Sequence, residues 1–146
     1  MDSSSVVIDA NLAIRLVLEH SSTAQVERLW ESWIRNGVEL CAPCLWWDEV
    51  TSVIHKLFML KAIDESKARL ALEAVLALSV KPIPEDSDLC RRAFYWATAL
   101  EQLAAYDGFY LALAEKLGAS FWTADRRLAH RAEQVGLSWV RCAEVG

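Results

Sequence analysis

Ala119-Ser120-Phe121-Trp122-Thr123-Ala124-Asp125 is an apolar run closed by an aspartate. Such a run fits a short buried strand, and Asp is among the residues preferred at a helix start. Asp125 to Val135 then follows helical periodicity, so the segment reads as strand, turn and helix. The other end of the chain repeats this order. Val6-Val7-Ile8 is a β-branched strand, Asp9 closes it, and Leu12 to Leu18 reads as a helix.

Between these ends the alternation continues. Val26, Leu29, Trp30, Trp33 and Ile34 recur at helical spacing and stop before Asn36-Gly37, a helix-ending pair. Val38 to Cys41 predicts a second strand, and a helix follows from about Leu45 to Leu60. Asp64 is placed to cap another helix, running to about Leu78. Val80 to Ile83 predicts a short strand beside Pro82 and Pro84. Leu89, Ala93, Trp96, Ala97, Leu100 and Leu103 form one more helical stripe. A helix opening at Asp107 ends at Gly118, and Leu137 to Val140 predicts a last strand. Strands alternating with helices imply an α/β fold, a mostly parallel sheet of four to five strands covered on both faces.

The chain has 146 residues, 54% hydrophobic and 24% charged, the composition of one globular domain spanning 1–146. No apolar run reaches the roughly 18 residues of a membrane span. Met1-Asp2-Ser3-Ser4-Ser5 shows no export signal, which predicts a cytoplasmic protein. A net charge of −5 argues against a general basic nucleic-acid binder. Four cysteines in a reducing compartment do not predict disulfides. Cys41 and Cys44 have CxxC spacing, which suits zinc, a dithiol or two core residues. A structural zinc site needs four ligands, and Cys90, Cys142 and the histidines are scattered, so the core reading is favoured.

Position singles out four carboxylates. Ligand sites in open α/β sheets lie beyond the carboxyl ends of strands. Asp9 and Asp125 follow two such ends, and Asp107 at its helix start can face the same rim. Glu49 falls at the edge of the apolar arc made by Trp46, Val50, Val53, Ile54 and Leu57, whereas Asp48 falls outside it. Each residue also has a structural use: Asp9, Asp107 and Asp125 as helix caps, Glu49 as an ion-pair partner. Four converging carboxylates resist full ionisation without a cation, and Mg²⁺ or Mn²⁺ suits such oxygens.

These residues resemble the motifs of the PIN-domain ribonucleases, in particular the VapC-like toxins of toxin–antitoxin pairs. Val7-Ile8-Asp9-Ala10-Asn11 looks like the family's first motif, and Pro43 followed by Glu49-Val50 is similar to its second. Tyr106-Asp107-Gly108-Phe109-Tyr110-Leu111-Ala112-Leu113-Ala114 looks like the third, and Thr123-Ala124-Asp125-Arg126-Arg127-Leu128 like the fourth. The resemblance implies a PIN-like three-layer α/β/α fold. It implies that Asp9, Glu49, Asp107 and Asp125 hold one or two Mg²⁺ or Mn²⁺ ions, with Thr123 and Asn11 supporting. It also implies RNA hydrolysis and a small antitoxin partner, and the apolar excess of the chain adds the expectation of a homodimer. Thr123 is equally a plain strand residue, and Asn11 a turn residue.

Two positions depart from the family pattern. Gly108 stands where Ala is usual and is expected to loosen its helix by up to about 1 kcal/mol. Ser52 stands where Asn is common, which puts a hydrogen bond to the acids in question. Arg15, Arg126, Arg127 and Arg131 are candidates for phosphate contact, or else solvated helix faces. So few basic groups predict a shallow salt dependence of RNA affinity. Seven tryptophans are many for this length. Trp30, Trp33, Trp46, Trp47 and Trp96 are expected not all to be deeply buried, and an antitoxin is expected to lie across the first four. Rival readings are a catalytically silent PIN-fold binding module, a DNA-directed flap-type nuclease, a haloacid-dehalogenase-type phosphatase and a dithiol oxidoreductase. The first would lack one of the acids. The second needs a larger helical arch, the third needs an Asp where Asn11 stands, and the fourth needs Cys41 and Cys44 to be reactive.

Overall fold

The computed structural model describes residues 5–143. Met1 to Ser4, on which most of the export-signal reading rests, lie outside the described residues. Five strands form one sheet: β1 (Ser5–Ile8), β2 (Glu39–Pro43), β3 (Val80–Ile83), β4 (Ser120–Thr123) and β5 (Val140–Cys142). Their order is β3-β2-β1-β4-β5, and every pairing is parallel. β1 is therefore central and covered on both faces, which explains its unbroken apolar run. Val7 and Ile8 are fully buried. Pro82 sits in β3, which pairs only with β2; an edge strand tolerates the missing donor.

Among the described residues seven helices connect the strands: α1 (Ala10–Val17), α2 (Thr23–Arg35), α3 (Leu45–Met59), α4 (Glu65–Leu76), α5 (Ser87–Ala99), α6 (Tyr106–Leu117) and α7 (Arg126–Gln134). The chain steps outward from β1 through β2 to β3, then crosses back to β4 on the other side of β1. Right-handed crossovers put α1 to α4 on one face and α5 to α7 on the other. This reversal makes the gap between the carboxyl ends of β1 and β4 the topological switch point, where such sheets bind ligands. No described helix is long and apolar enough to cross a membrane.

Four sequence expectations need correction. The stripe read through Leu103 ends at Ala99. Glu101 takes a left-handed φ of 55°, and Gln102 N–H closes the helix on Ala97 O at 2.9 Å. Glycine usually fills that position, so no Gly marks the end, and Leu103 is left fully exposed. The last strand begins at Val140, not Leu137. Gly136 (φ 84°) ends α7, and Leu137 N–H bonds Ala132 O, so Leu137 is buried within a turn.

Gly108 does not merely loosen α6. A β-carbon there would stand 2.2 Å from Ala93 O of α5, so only glycine lets the two helix backbones approach this closely. The tryptophans are not all deeply buried, as expected, but three of the four expected to lie under an antitoxin are. Trp30, Trp33 and Trp46 are buried, whereas Trp47 and Trp96 are partly so. They pack in pairs: Trp30 on Trp33, Trp33 edge-on to Trp122, Trp46 on Trp47. Aromatic area is thus absorbed by the monomer core, and Trp30, Trp33 and Trp46 offer no surface to an antitoxin.

Candidate active site

The two aspartates that close strands meet at the switch point. Asp9 follows β1, and its backbone N–H extends the β1–β4 ladder to Trp122 O at 2.9 Å. Its side chain does not cap α1; it turns inward and is 5% exposed. Thr123, at the end of β4 and fully buried, donates its hydroxyl proton to Asp9 Oδ2 at 2.8 Å. Thr123 Oγ1 in turn accepts from Asn11 Nδ2 at 3.1 Å and from the Asp125 N–H at 3.0 Å. Asn11 Oδ1 in turn accepts from the Ala124 N–H at 2.9 Å. One hydroxyl has one donor and two acceptor sites, and all three are used. Asn11 and Thr123 therefore lock the ends of β1 and β4 together around Asp9.

Asp125 performs the capping use foreseen for it: Oδ1 accepts from the Arg127 and Leu128 N–H groups at 3.0 and 3.2 Å. Asp107 is not a cap. It is the second residue of α6, with Ala105 as the capping residue, and its carboxylate makes no hydrogen bond among the described residues. Glu49 comes from α3 and is half-buried, whereas Asp48 is exposed, as the helical projection requires. Asp9, Glu49, Asp107 and Asp125 all line one cleft of about 550 Å³. An adjoining cavity of about 520 Å³ shares Glu49, Asp107 and Asp125 and opens toward α7. A larger, shallow cavity of about 760 Å³ at the β4–β5 edge has no carboxylate among its lining residues.

The cleft resists negative charge. Burial, then the neighbouring Asp107 and Glu49, push the Asp9 carboxyl from 3.8 up to about 8, against the Thr123 hydrogen bond that pulls it down. Burial also raises Glu49, with Asp107 and Asp48 adding to it, and raises Asp107, with Asp125 adding. Tyr110 of α6 lies in the third motif, which gives it no role of its own. Its phenol is buried beside Asp9 and Glu49 and pushed far above its ordinary range, first by burial. Tyr110 lowers the Glu49 pKa, yet neither the Tyr110 hydroxyl nor Glu49 Oε1 makes a hydrogen bond in the cleft.

The remaining predicted residues scatter. Arg15 lines the cleft, with Nη1 against the His20 ring at 2.9 Å and 3.3 Å from Ser22 Oγ. Arg127 and Arg131 line the adjoining cavity. Arg131 is tied down there, donating to Leu100 O at 2.6 Å and so closing α7 onto the end of α5. Arg126 is exposed and lines neither cavity. Ser52 is exposed and reaches none of the acids through a hydrogen bond. Cys41 is buried and its thiol is held at about 11 by burial and Glu39, and Cys44 is raised as well. Thiols held protonated are poor nucleophiles; Cys41 lies in the core, and Cys44 is half-buried.

Comparison with known proteins agrees with this architecture. The PIN domain family matches residues 6–134. No curated protein matches the chain. Among solved structures, the chain is similar to VapC20 of Mycobacterium tuberculosis, a sarcin-ricin-loop-cleaving toxin (17% identity over 93% of this chain and 98% of that one, TM-score 0.66). It is also similar to VapBC2 of Rickettsia felis bound to a promoter DNA fragment (11% identity, 94% and 98%, TM-score 0.69). A toxin–antitoxin complex from Klebsiella pneumoniae is a third (18% identity, 95% and 98%, TM-score 0.64). At these identities the likeness is one of fold. With the family match running from the first strand to the last helix, this chain belongs to the PIN domain family.

Proposed function

We propose that this protein is a metal-dependent endoribonuclease and the toxin of a toxin–antitoxin pair. The observation that carries the reading is the convergence of Asp9, Glu49, Asp107 and Asp125 on one cleft at the switch point of the sheet. Fold alone does not set chemistry; four carboxylates from four segments, three of them raised by burial, do constrain it.

The donor set suits a hard divalent cation. It consists of carboxylate oxygens, and Glu49 Oε1 is buried without a hydrogen bond. Among the described residues no three His, Cys, Asp or Glu side chains are drawn tightly enough together to enclose an ion, so binding would draw the carboxylates inward. Asp9, Glu49, Asp107 and Asp125 would hold one or two Mg²⁺ or Mn²⁺ ions, which acidify water and stabilise the charge that develops on a phosphodiester. The rest falls to the chain itself. Thr123 and Asn11 fix Asp9 and exclude water from its inner side. Asp107, which holds no other hydrogen bond, is the better placed of the two outer acids to orient the attacking water; Asp125 spends Oδ1 on the α7 cap. Arg15 and Arg127 flank the carboxylates and would take neighbouring phosphates.

An antitoxin fits this cleft better than the tryptophan face. Ile14, Val53, Leu57 and Ile63 give the cleft an apolar wall beside its acids. A basic, amphipathic segment would satisfy both. A second copy of the chain is the other protein partner, and exposed Phe94 and Tyr95 on α5 offer it an apolar surface. The decisive experiment is digestion of total RNA by the purified chain with Mg²⁺ or Mn²⁺, against EDTA and against Asp9→Asn. Discrete fragments with 5′-phosphate ends, lost in both controls, are expected. RNA bound but never cut would instead favour a silent binding module.

A further inference from the structure

The adjoining cavity has a wall that the four acids do not explain. Leu103 is fully exposed and Tyr106 is 63% exposed. Both line this cavity together with Glu49, Asp107, Asp125 and Arg127. Tyr106 opens α6 and immediately precedes Asp107. Its side chain makes no ring contact and no hydrogen bond among the described residues, so nothing in the fold requires an aromatic residue there. The exposed aromatic residues of α5, Phe94 and Tyr95, do not line this cavity, and Tyr95 packs on Trp96 and under Arg92.

Electrostatics says what such a wall would be for. The protein carries a net charge of −5, and its cleft gathers carboxylates. Phosphate attraction by basic groups, the usual source of nucleic-acid affinity, is weak here: Arg131 is bonded to Leu100 O, and Arg127 is the other arginine of the cavity. Contacts that do not depend on charge then carry more of the affinity. Base stacking on an aromatic side chain is the main one for unpaired nucleotides. Resting on the ribonuclease reading, we infer that Tyr106 is a positioning residue: its ring is the platform on which an unpaired base beside the scissile phosphate stacks, with Leu103 as the second wall and Arg127 on the adjacent phosphate. Tyr106 touches no reacting atom. It sets the register of the strand over Asp107, and the enzyme accordingly selects RNA whose cut site is unpaired.

The test uses the shortest fragment of total RNA that the wild-type protein cleaves, synthesised with 2-aminopurine next to the cut. Tyr106→Leu keeps the bulk and removes the π face. It is expected to raise KM by roughly tenfold, with kcat little changed, and Tyr106→Phe restores KM. Tyr106→Trp, with a larger face, lowers KM, which guards against Tyr106→Leu failing through altered folding. On an Asp9→Asn background, binding quenches 2-aminopurine fluorescence, and adding Tyr106→Leu abolishes the quench while adding Tyr106→Phe does not. Unchanged KM and quenching in Tyr106→Leu overturn the platform and leave the nuclease standing; this wall then belongs to a protein partner. A wild-type protein that cleaves no RNA with Mg²⁺ or Mn²⁺ overturns the nuclease reading, and the platform with it.

Discussion

Thr123 Oγ1 lies 2.8 Å from Asp9 Oδ2, a hydrogen bond that joins two strand ends 114 residues apart. Thr123 is the hub: it gives its single proton to the carboxylate and accepts from Asn11 and Asp125. Thr123→Val keeps the shape and strands all three partners in a buried site. Unpaired buried polar groups cost about 1–3 kcal/mol each when water cannot reach them. Urea denaturation should show a loss of about 2 kcal/mol, and cleavage should fall with it. Thr123→Ser, which keeps the hydroxyl, should recover most of both.

The raised Asp9 carboxyl makes the metal-free protein's stability depend on pH in an unusual direction. Its folded value, about 8, lies above the ordinary 3.8, so the folded state binds more protons than the unfolded one between those limits. Stability is then greatest below about pH 4 with respect to this group and declines as pH rises toward 8. In EDTA, the melting temperature of wild type should therefore drop between pH 5 and 8 more than that of Asp9→Asn, which should be at least as stable at pH 7.5. Mg²⁺ or Mn²⁺ should raise the melting temperature of wild type and scarcely that of Asp9→Asn. Equal pH profiles for the two proteins would remove the charge argument.

Neutralising the acids one at a time separates chemistry from architecture. Asp9→Asn, Glu49→Gln, Asp107→Asn and Asp125→Asn should each lower kcat by on the order of 10²–10³, the scale of losing one electrostatic element of an active site. Asp125→Asn is the informative case. Asn caps helices as well as Asp does, so the bonds to the Arg127 and Leu128 N–H groups persist and α7 stays in place. A variant that folds normally and still cleaves would reduce Asp125 to a cap.

What could be read in the sequence was what local pattern controls. Asp9 and Asp125 were visible because an apolar run stops at each, and Glu49 because helical geometry sets it at the edge of a buried face while Asp48 points outward. Features decided by distant contacts were not visible. Glu101 adopts the left-handed conformation normally given to glycine, so α5 ends without a signal. Leu137 looks like strand because it is buried, yet it is buried in a turn. Tyr110 is an apolar-looking member of its motif and is buried, but its hydroxyl lies among the acids. The tryptophans hinted at a partner because composition cannot show that they pack on one another.

Gly108 gives the sharpest test of packing over propensity. On intrinsic helix preference alone, Gly108→Ala should stabilise α6 by up to about 1 kcal/mol. Its φ is not left-handed, so the backbone itself raises no objection to alanine. The new methyl carbon, however, would sit 2.2 Å from Ala93 O and 2.9 Å from Ala93 C, which are backbone atoms of a neighbouring helix and cannot rotate away. α5 and α6 must separate, and overpacking of this kind costs about 1–3 kcal/mol. Because Asp107 precedes Gly108 on the same turn, that separation also moves a cleft carboxylate. Gly108→Ala should therefore lower the urea midpoint and reduce cleavage together. A second change, Ala93→Gly, cannot relieve the clash, since the obstruction is the carbonyl and not the Ala93 side chain. A Gly108→Ala protein more stable than wild type would show that the helices have room to spare, and that the close approach does not constrain this position.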